Sequence, residues 1–195
     1  MHGLVNRALQ GFLTDTYGKD IWDEVRSQAC LPFEGFESML HYEDRLTGDT
    51  ISAAVAVLHK DEASLLEDLG NYLVTHPNLE PLRRLLRFGG DTFFDFLQSL
   101  DDLSGRARLA VPDLDMPDLQ IRQLEGSAFA LDVRWGQRGA GSVFLGALRA
   151  LADDYGTLAF FQSEYGGPGV ERVRIDLFDC AHFEGRSFSL GETSI

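Results

Sequence analysis

Residues 88–117 read FGGDTFFDFLQSLDDLSGRARLAVPDLDMP and contain the most informative helix of the chain. The glycine pair at 89–90 and a capping Asp91 precede apolar residues at helical spacing. The apolar face consists of Phe93, Phe96, Leu97, Leu100 and Leu103. Because serine and glycine are ordinary residues at a helix end, we expect this helix to end near Ser104, before the break that contains Pro112 and Pro117.

Helical patterns precede this stretch, and alternating patterns follow it. Apolar residues recur at helical spacing within residues 4–17, 21–29, 50–59, 61–76 and 81–87. Residues 119–124 and 129–135 alternate with period two, which predicts a hairpin, and residues 141–155 return to helical spacing. Residues 158–161 and 170–178 predict two further strands on either side of a glycine-rich loop.

Helices that are segregated from antiparallel strands predict an α+β fold. We expect about six to seven helices and then an antiparallel four-stranded sheet with one inserted helix. In this interpretation residues 1–195 form one domain, with a helical lobe over about 1–112 and a strand-rich lobe over about 118–195.

The composition limits the possible partners and compartments. The chain has 195 residues, a formal net charge of -14 and two cysteines, Cys30 and Cys180. A surface this acidic repels phosphate backbones and anionic lipids, so we expect neither a nucleic-acid nor a membrane partner. We expect a cytoplasmic protein with reduced thiols. The two cysteines are isolated, the N-terminus has no signal-peptide pattern, and no apolar run is long enough for a membrane helix.

Motifs that carry catalysis are missing from the sequence. It contains no Gly-x-Ser-x-Gly, P-loop, His-Glu-x-x-His or dinucleotide fingerprint, so we expect that the chain is not an enzyme. One glycine-rich turn, residues 139–142, opens a helix and could cradle an anion with its backbone N–H groups, although such turns are also common without a ligand.

The stretch at 88–117, read together with the strand sequence VRWGQR at 133–138, resembles the haem–nitric oxide/oxygen binding family, H-NOX. Fragments that resemble this family occur in the right order over nearly the whole chain: Tyr17-Gly18, Trp22 to Val25, Gly70 to Tyr72 and Phe144 to Gly146. The resemblance implies the H-NOX fold, haem b as cofactor and nitric oxide or oxygen as ligand.

The resemblance also assigns site positions. In this family a histidine on the helix ligates the haem iron, and a Tyr-x-Ser-x-Arg motif on the later strand clamps the haem propionates. Here Ser104 occupies the ligand position, while Arg134, Gly136 and Arg138 occupy the three positions of the clamp. Pro117 is the remaining residue that the resemblance places at the haem site.

Ordinary structural roles compete with these assignments. Ser104 would be a helix-terminal residue, and Arg134 and Arg138 would pair with some of the many carboxylates of the chain. A substitute metal ligand would have to be a cysteine or a histidine. No two histidines have the i,i+3 or i,i+4 spacing of a metal site on a helix, so we expect surface or capping positions for His2, His41, His59, His76 and His182.

Three hypotheses for function follow from this. The first is a degenerate H-NOX domain with weak or no haem binding, of the stand-alone bacterial type, which regulates a histidine kinase or a cyclic-dinucleotide enzyme in trans. The second is a working haem-based gas sensor with a substitute axial ligand and Arg138 on the propionates. The third is a domain that binds another apolar small molecule in the vacant pocket, unless large side chains such as Phe93, Phe96 and Trp135 fill that space.

Overall fold

The structure is a computed structural model that describes residues 1–178. The described part begins with seven α-helices: α1 Gly3–Tyr17, α2 Lys19–Gln28, α3 Asp44–Leu58, α4 Glu62–Thr75, α5 Glu80–Arg87, α6 Phe93–Gln98 and α7 Leu103–Ala110. It continues with β1 Asp118–Gln123, β2 Ala128–Arg134, α8 Ala140–Asp154, β3 Ala159–Gly167 and β4 Val170–Leu177. The predicted α+β fold, with its four-stranded antiparallel sheet and inserted helix, is confirmed.

The first four helices share one apolar core, which we call the helical core. Its fully buried members include Leu13 of α1, Val25 of α2, Ala54 of α3 and Leu65 of α4. These four residues lie on the inward-facing sides of their helices, as expected for amphipathic helices packed around one core.

Helix α3 begins at Asp44, six residues before the predicted start at residue 50. Its first turns contain Thr47 and Thr50, which are buried although they are polar. The Thr50 hydroxyl donates to the Leu46 carbonyl oxygen at 2.7 Å, and the Thr47 hydroxyl donates to Asn6 Oδ1 of α1 at 2.7 Å. These hydrogen bonds satisfy the two buried threonine hydroxyls, which the local pattern of apolar residues does not indicate.

The long helix predicted from residue 93 is in fact two short helices. Thr92, not Asp91, caps α6 in a capping box with Asp95. A 3-10 turn, Ser99–Asp102, then separates α6 from α7. Asp101 holds this turn against the sheet, because its Oδ1 accepts the Ile121 backbone N–H of β1 at 2.6 Å.

The four strands follow the order β1-β2-β4-β3, and every pairing is antiparallel. Leu131, Val173 and Ile175 are fully buried on the face that packs against Leu145 and Leu148 of α8. Side chains of α6 enter the same cluster, which we call the sheet core. The opposite face, called the outer face here, carries the charged residues Asp118, Arg122, Asp132, Arg134, Glu164, Arg172, Arg174 and Asp176.

Strand β3 is longer than predicted, because it runs to Gly167 instead of ending at Phe161. The polar residues Gln162, Ser163 and Glu164 continue the ladder with β4. They are compatible with a strand here because β3 lies at the edge of the sheet, where only one side is paired.

Helices α4 and α8 approach each other closely through two glycines. A Cβ atom at Gly70 would overlap the Val143 carbonyl oxygen, and one at Gly146 would overlap the Glu67 carbonyl oxygen. This contact joins the two cores, because Val143 of α8 packs on the helical core while Leu145 lies in the sheet core.

Candidate functional site

Ser104 lies in the first turn of α7 and not at the C-terminal end of a helix, so the prediction that a helix ends near Ser104 is wrong. The 3-10 turn before α7 is the cause, since it ends the preceding helix at Gln98 and lets a new one start at Leu103. The Ser104 side chain is half-buried, and its hydroxyl donates to the Pro117 carbonyl oxygen at 2.6 Å. Two residues that the sequence assigned to the haem site are therefore bonded to each other.

The apolar residues on the predicted face of this segment are all buried. Phe93, Leu97 and Leu100 are at most 1% exposed and belong to the sheet core. Their partners in that cluster include Leu131 of β2 and Leu148 of α8. The side chains before Ser104 therefore contribute to a packed interior between helix and sheet.

Arg134, the first clamp position, belongs to the outer face of the sheet. Its guanidinium lies 3.4 Å from Gln120 Oε1, 3.6 Å from an Asp118 carboxylate oxygen and 3.8 Å from one of Asp132. The pairing of this arginine with the chain's own carboxylates agrees with the ordinary structural role that the sequence allows.

Asp132 is the buried centre of this charge group, with a side chain that is 4% exposed. Arg172 donates to both of its oxygens, at 2.6 and 3.1 Å, and Arg122 donates to Oδ2 at 2.8 Å. The hydrogen bond from Arg172 is the main reason that the pKa of the Asp132 carboxyl lies below its ordinary value, although burial acts in the opposite direction. The sequence did not single out this carboxylate, because its partners lie on two other strands.

Arg138, the last clamp position, is exposed in the turn between β2 and α8. Within residues 1–178 it forms no ion pair, so the proposed pairing of Arg138 with a carboxylate of the chain has no counterpart in the described part. Gly136, also exposed, has no side chain with which to hold a ligand.

The glycine-rich turn at 139–142 does cradle an anion, and that anion is a side chain of the same chain. The Gly139 and Gly141 backbone N–H groups donate to the two carboxylate oxygens of Glu171 at 2.7 and 2.6 Å. The negative charge lies at the N-terminus of α8, where the helix dipole favours it. This turn therefore connects α8 to β4, thirty residues further along the chain.

The histidines have mainly capping positions. His2 Nδ1 accepts the Leu4 N–H at the start of α1, and His59 ends α3 in a left-handed conformation. His41 packs edge-on against His2, while His76 stacks on Tyr72. His182 and Cys180 lie outside the described residues. No group of three or more metal-ligating side chains occurs within residues 1–178.

The four assigned positions do not fit haem in the way that the resemblance implies. Serine is a weak neutral oxygen donor, and the Ser104 hydroxyl already donates to Pro117. Arg134 is held on the outer face, and Gly136 offers no hydroxyl. Of the implied ligand and clamp, only the exposed Arg138 remains available.

One cleft of about 310 Å³ lies between α4 and α8. Its lining includes Glu67, Asp68, Asn71, Arg149 and Asp153, which are polar or charged. A cleft of this chemistry does not suit an apolar ligand.

None of the described helices has the length and apolar character needed to cross a membrane.

Comparisons with known proteins agree with this architecture. Soluble guanylate cyclase 89Db of Drosophila melanogaster is 22% identical over 155 residues, which are 80% of this chain and 23% of the cyclase. Soluble guanylate cyclase gcy-31 of Caenorhabditis elegans is 24% identical over 182 residues, which are 93% of this chain and 24% of the cyclase. The chain thus spans about a quarter of the length of these curated relatives.

Solved structures show the same fold. The Fe(II) unliganded H-NOX protein from K. algicida superposes with a TM-score of 0.80 at 15% identity and covers 94% of this chain and 100% of its own. The S. oneidensis H-NOX protein in the Fe(II)NO state gives 0.76 at 14% identity, with 92% and 100% covered. The model of the haem-NO-binding family matches residues 2–160. The chain therefore belongs to the haem-NO-binding family and has the H-NOX fold.

Proposed function

We propose that this chain is a regulatory H-NOX-fold module that acts on a separate signalling protein and does so without stoichiometric haem. The hydrogen bond from Ser104 to the Pro117 carbonyl oxygen is the observation that carries this proposal. It occupies the hydroxyl at the position where the family has its iron ligand.

The chemistry of the position supports the proposal. An axial haem ligand must present a strong donor atom to the iron, and imidazole does this far better than a neutral hydroxyl. A Ser104 oxygen that turned towards iron would also leave the buried Pro117 carbonyl without its hydrogen bond, at a cost of about 1 kcal/mol or more.

The proposed partner is a histidine kinase or a cyclic-dinucleotide enzyme, as the family resemblance implies for stand-alone bacterial domains. We further propose that the chain is not itself an enzyme. The sequence contains no catalytic motif, and the relatives named as cyclases match it over only about a quarter of their length.

Titration of the purified chain with haem under reducing conditions, with and without nitric oxide, tests the proposal. We expect a broad absorption band like that of free haem, with no equivalence point at one haem per chain. A sharp Soret band at one haem per chain that shifts with nitric oxide would overturn the proposal in favour of a gas sensor with a substitute ligand. Parallel titration of Ser104→His shows whether an imidazole at 104 suffices for stoichiometric binding.

A further inference from the structure

One end of the outer face of the sheet is apolar and exposed. Leu158, Phe160 and Phe178 have 56%, 55% and 52% of their surface exposed, and Leu124 has 40%. The Phe178 N–H donates to the Leu158 carbonyl oxygen, and Phe160 pairs with Asp176 in the ladder. Leu158, Phe160 and Phe178 are therefore close to one another where β3 begins and β4 ends. Large apolar side chains that cluster on one surface are typical of a site that binds another molecule.

Arginines lie next to this apolar end on the same face. Arg122 and Arg174 flank Ala130 in the register of β1, β2 and β4, and their side chains are 46% and 42% exposed. Arg122 donates one N–H group to Asp132, and Arg174 donates to Asp176 from Nε and Nη2, so each guanidinium keeps further N–H donors. The carboxylate of Asp132 is buried beneath the arginines and does not itself face a ligand.

The outer face therefore differs in charge from the rest of the molecule. Its four arginines balance its four carboxylates, Asp118, Asp132, Glu164 and Asp176, whereas the whole chain has a net charge of -14. A negatively charged partner is repelled less at this neutral face than the net charge of the whole chain would suggest, and there it meets guanidinium groups, which can bind carboxylates in a bidentate manner.

We propose that the outer face docks an acidic, amphipathic segment of the signalling partner. Apolar side chains of that segment cover Phe160 and its neighbours, and its carboxylates bind Arg122 and Arg174. This inference rests on the proposed function, since it names the surface through which the chain meets its partner.

The charges argue against two other occupants. A second copy of the chain, docked through the same face, would bring together two molecules that each have a net charge of -14. Nucleic acid carries a continuous row of phosphates that would extend beyond the neutral face onto the acidic remainder of the molecule, whereas a short acidic segment lies within the face.

Selection of random-sequence displayed peptides against the full chain tests the proposal. The strongest binder is resynthesised, once as selected and once with Lys in place of each Asp and Glu, and its affinity is measured by fluorescence anisotropy. We expect selected peptides to be rich in carboxylates and apolar residues, to lose affinity with added salt and to bind at least about tenfold more weakly in the Lys version.

Variants of the chain locate the binding surface. Phe160→Ser and Arg122→Glu should each reduce peptide affinity by about tenfold. Leu109→Ser and Arg45→Glu, which make the same types of change at more exposed side chains on α7 and α3, should leave it unchanged. Far-UV circular dichroism confirms that each variant is folded.

Several results would overturn the proposal. The first is a selection that yields basic peptides. The second is a selected peptide that binds Phe160→Ser and Arg122→Glu as tightly as the native chain. The third is a selection that yields no binding peptide. Concentration-dependent dimerisation that Phe160→Ser abolishes would assign the face to a second copy instead. Peptide binding only to a chain shortened after Phe178 would assign it to residues 179–195. All of these outcomes differ from stoichiometric haem binding, which would refute the proposed function and not the docking surface.

Discussion

At the scale of residues, Ser104 occupies the position that the resemblance assigns to the haem iron ligand, and it also forms a structural hydrogen bond. The resemblance placed it and Pro117 at the haem site, and the structure joins them by a hydrogen bond of 2.6 Å. The bond connects α7 with the residue that precedes β1. This hydrogen bond gives Ser104 a structural role that does not depend on haem.

Replacement of this hydroxyl should therefore weaken the fold. We expect Ser104→Ala to lower the free energy of unfolding by about 1 kcal/mol, because the buried Pro117 carbonyl loses its donor. Ser52→Ala on the exposed side of α3 is the matched control and should change stability by less than about 0.5 kcal/mol. Urea unfolding measures both variants, and an unchanged midpoint for Ser104→Ala would refute the role of the bond.

Asp132 provides a second residue-scale prediction, with a defined pH dependence. The pKa of its carboxyl in the folded chain is below the ordinary value of 3.8, chiefly because of the hydrogen bond from Arg172. As the pH falls, the unfolded chain binds this proton first. The stabilisation is therefore complete well above pH 3.8 and is lost as the pH falls through the folded pKa.

We expect Asp132→Asn to lower stability at neutral pH by about 2 kcal/mol, because two arginines lose a buried carboxylate. The variant should also lose less stability than the native chain when the pH falls below 3.8. Asp153→Asn, at an exposed position of α8, controls for the change in net charge. Parallel acid-dependence curves for the native chain and Asp132→Asn would contradict this account.

At the scale of elements, apolar periodicity predicted most helices and strands because their inward faces follow one period. It failed where polar groups are satisfied by distant partners. Thr47 in α3 bonds to Asn6, and Asp101 in the 3-10 turn bonds to Ile121 of β1. In the candidate site, the sequence indicated that the turn at 139–142 could cradle an anion. It did not indicate that this anion is the Glu171 carboxylate, because that contact depends on where β4 lies in the sheet.

The contact between α4 and α8 makes a prediction at this scale. Gly70→Ala and Gly146→Ala should each lower stability by at least about 2 kcal/mol, because the added methyl group meets a backbone carbonyl that has little room to move. Gly48→Ala, within α3, meets no atom within 4 Å and should raise stability by about 0.5–1 kcal/mol. Thermal unfolding compares the three variants, and equal effects at positions 48 and 70 would show that the helices are not in close contact.

At the scale of the whole molecule, two cores are joined through α8, and an acidic surface surrounds them. The fold agrees with the family, whereas the positions for haem ligation and the propionate clamp depart from the pattern that the resemblance implies. The proposed function rests on this combination of a family fold and altered site positions.

Salt should stabilise the molecule as a whole. A net charge of -14 produces self-repulsion in the compact state, and ions screen exposed charges beyond a Debye length of about 8 Å at physiological ionic strength. We expect the melting temperature to rise as sodium chloride is increased from low to physiological concentration. A fall over this range would mean that exposed ion pairs such as Lys19–Asp23 outweigh the repulsion.

The haem content of the chain is the measurement that bears most directly on its proposed function. The native chain and Ser104→His are produced in cells supplied with a haem precursor, and haem per chain is determined after purification from the pyridine haemochrome spectrum. We expect far less than one haem per native chain, with no band that responds to nitric oxide. One haem per native chain, with a Soret band that shifts on addition of nitric oxide, would contradict the proposed function.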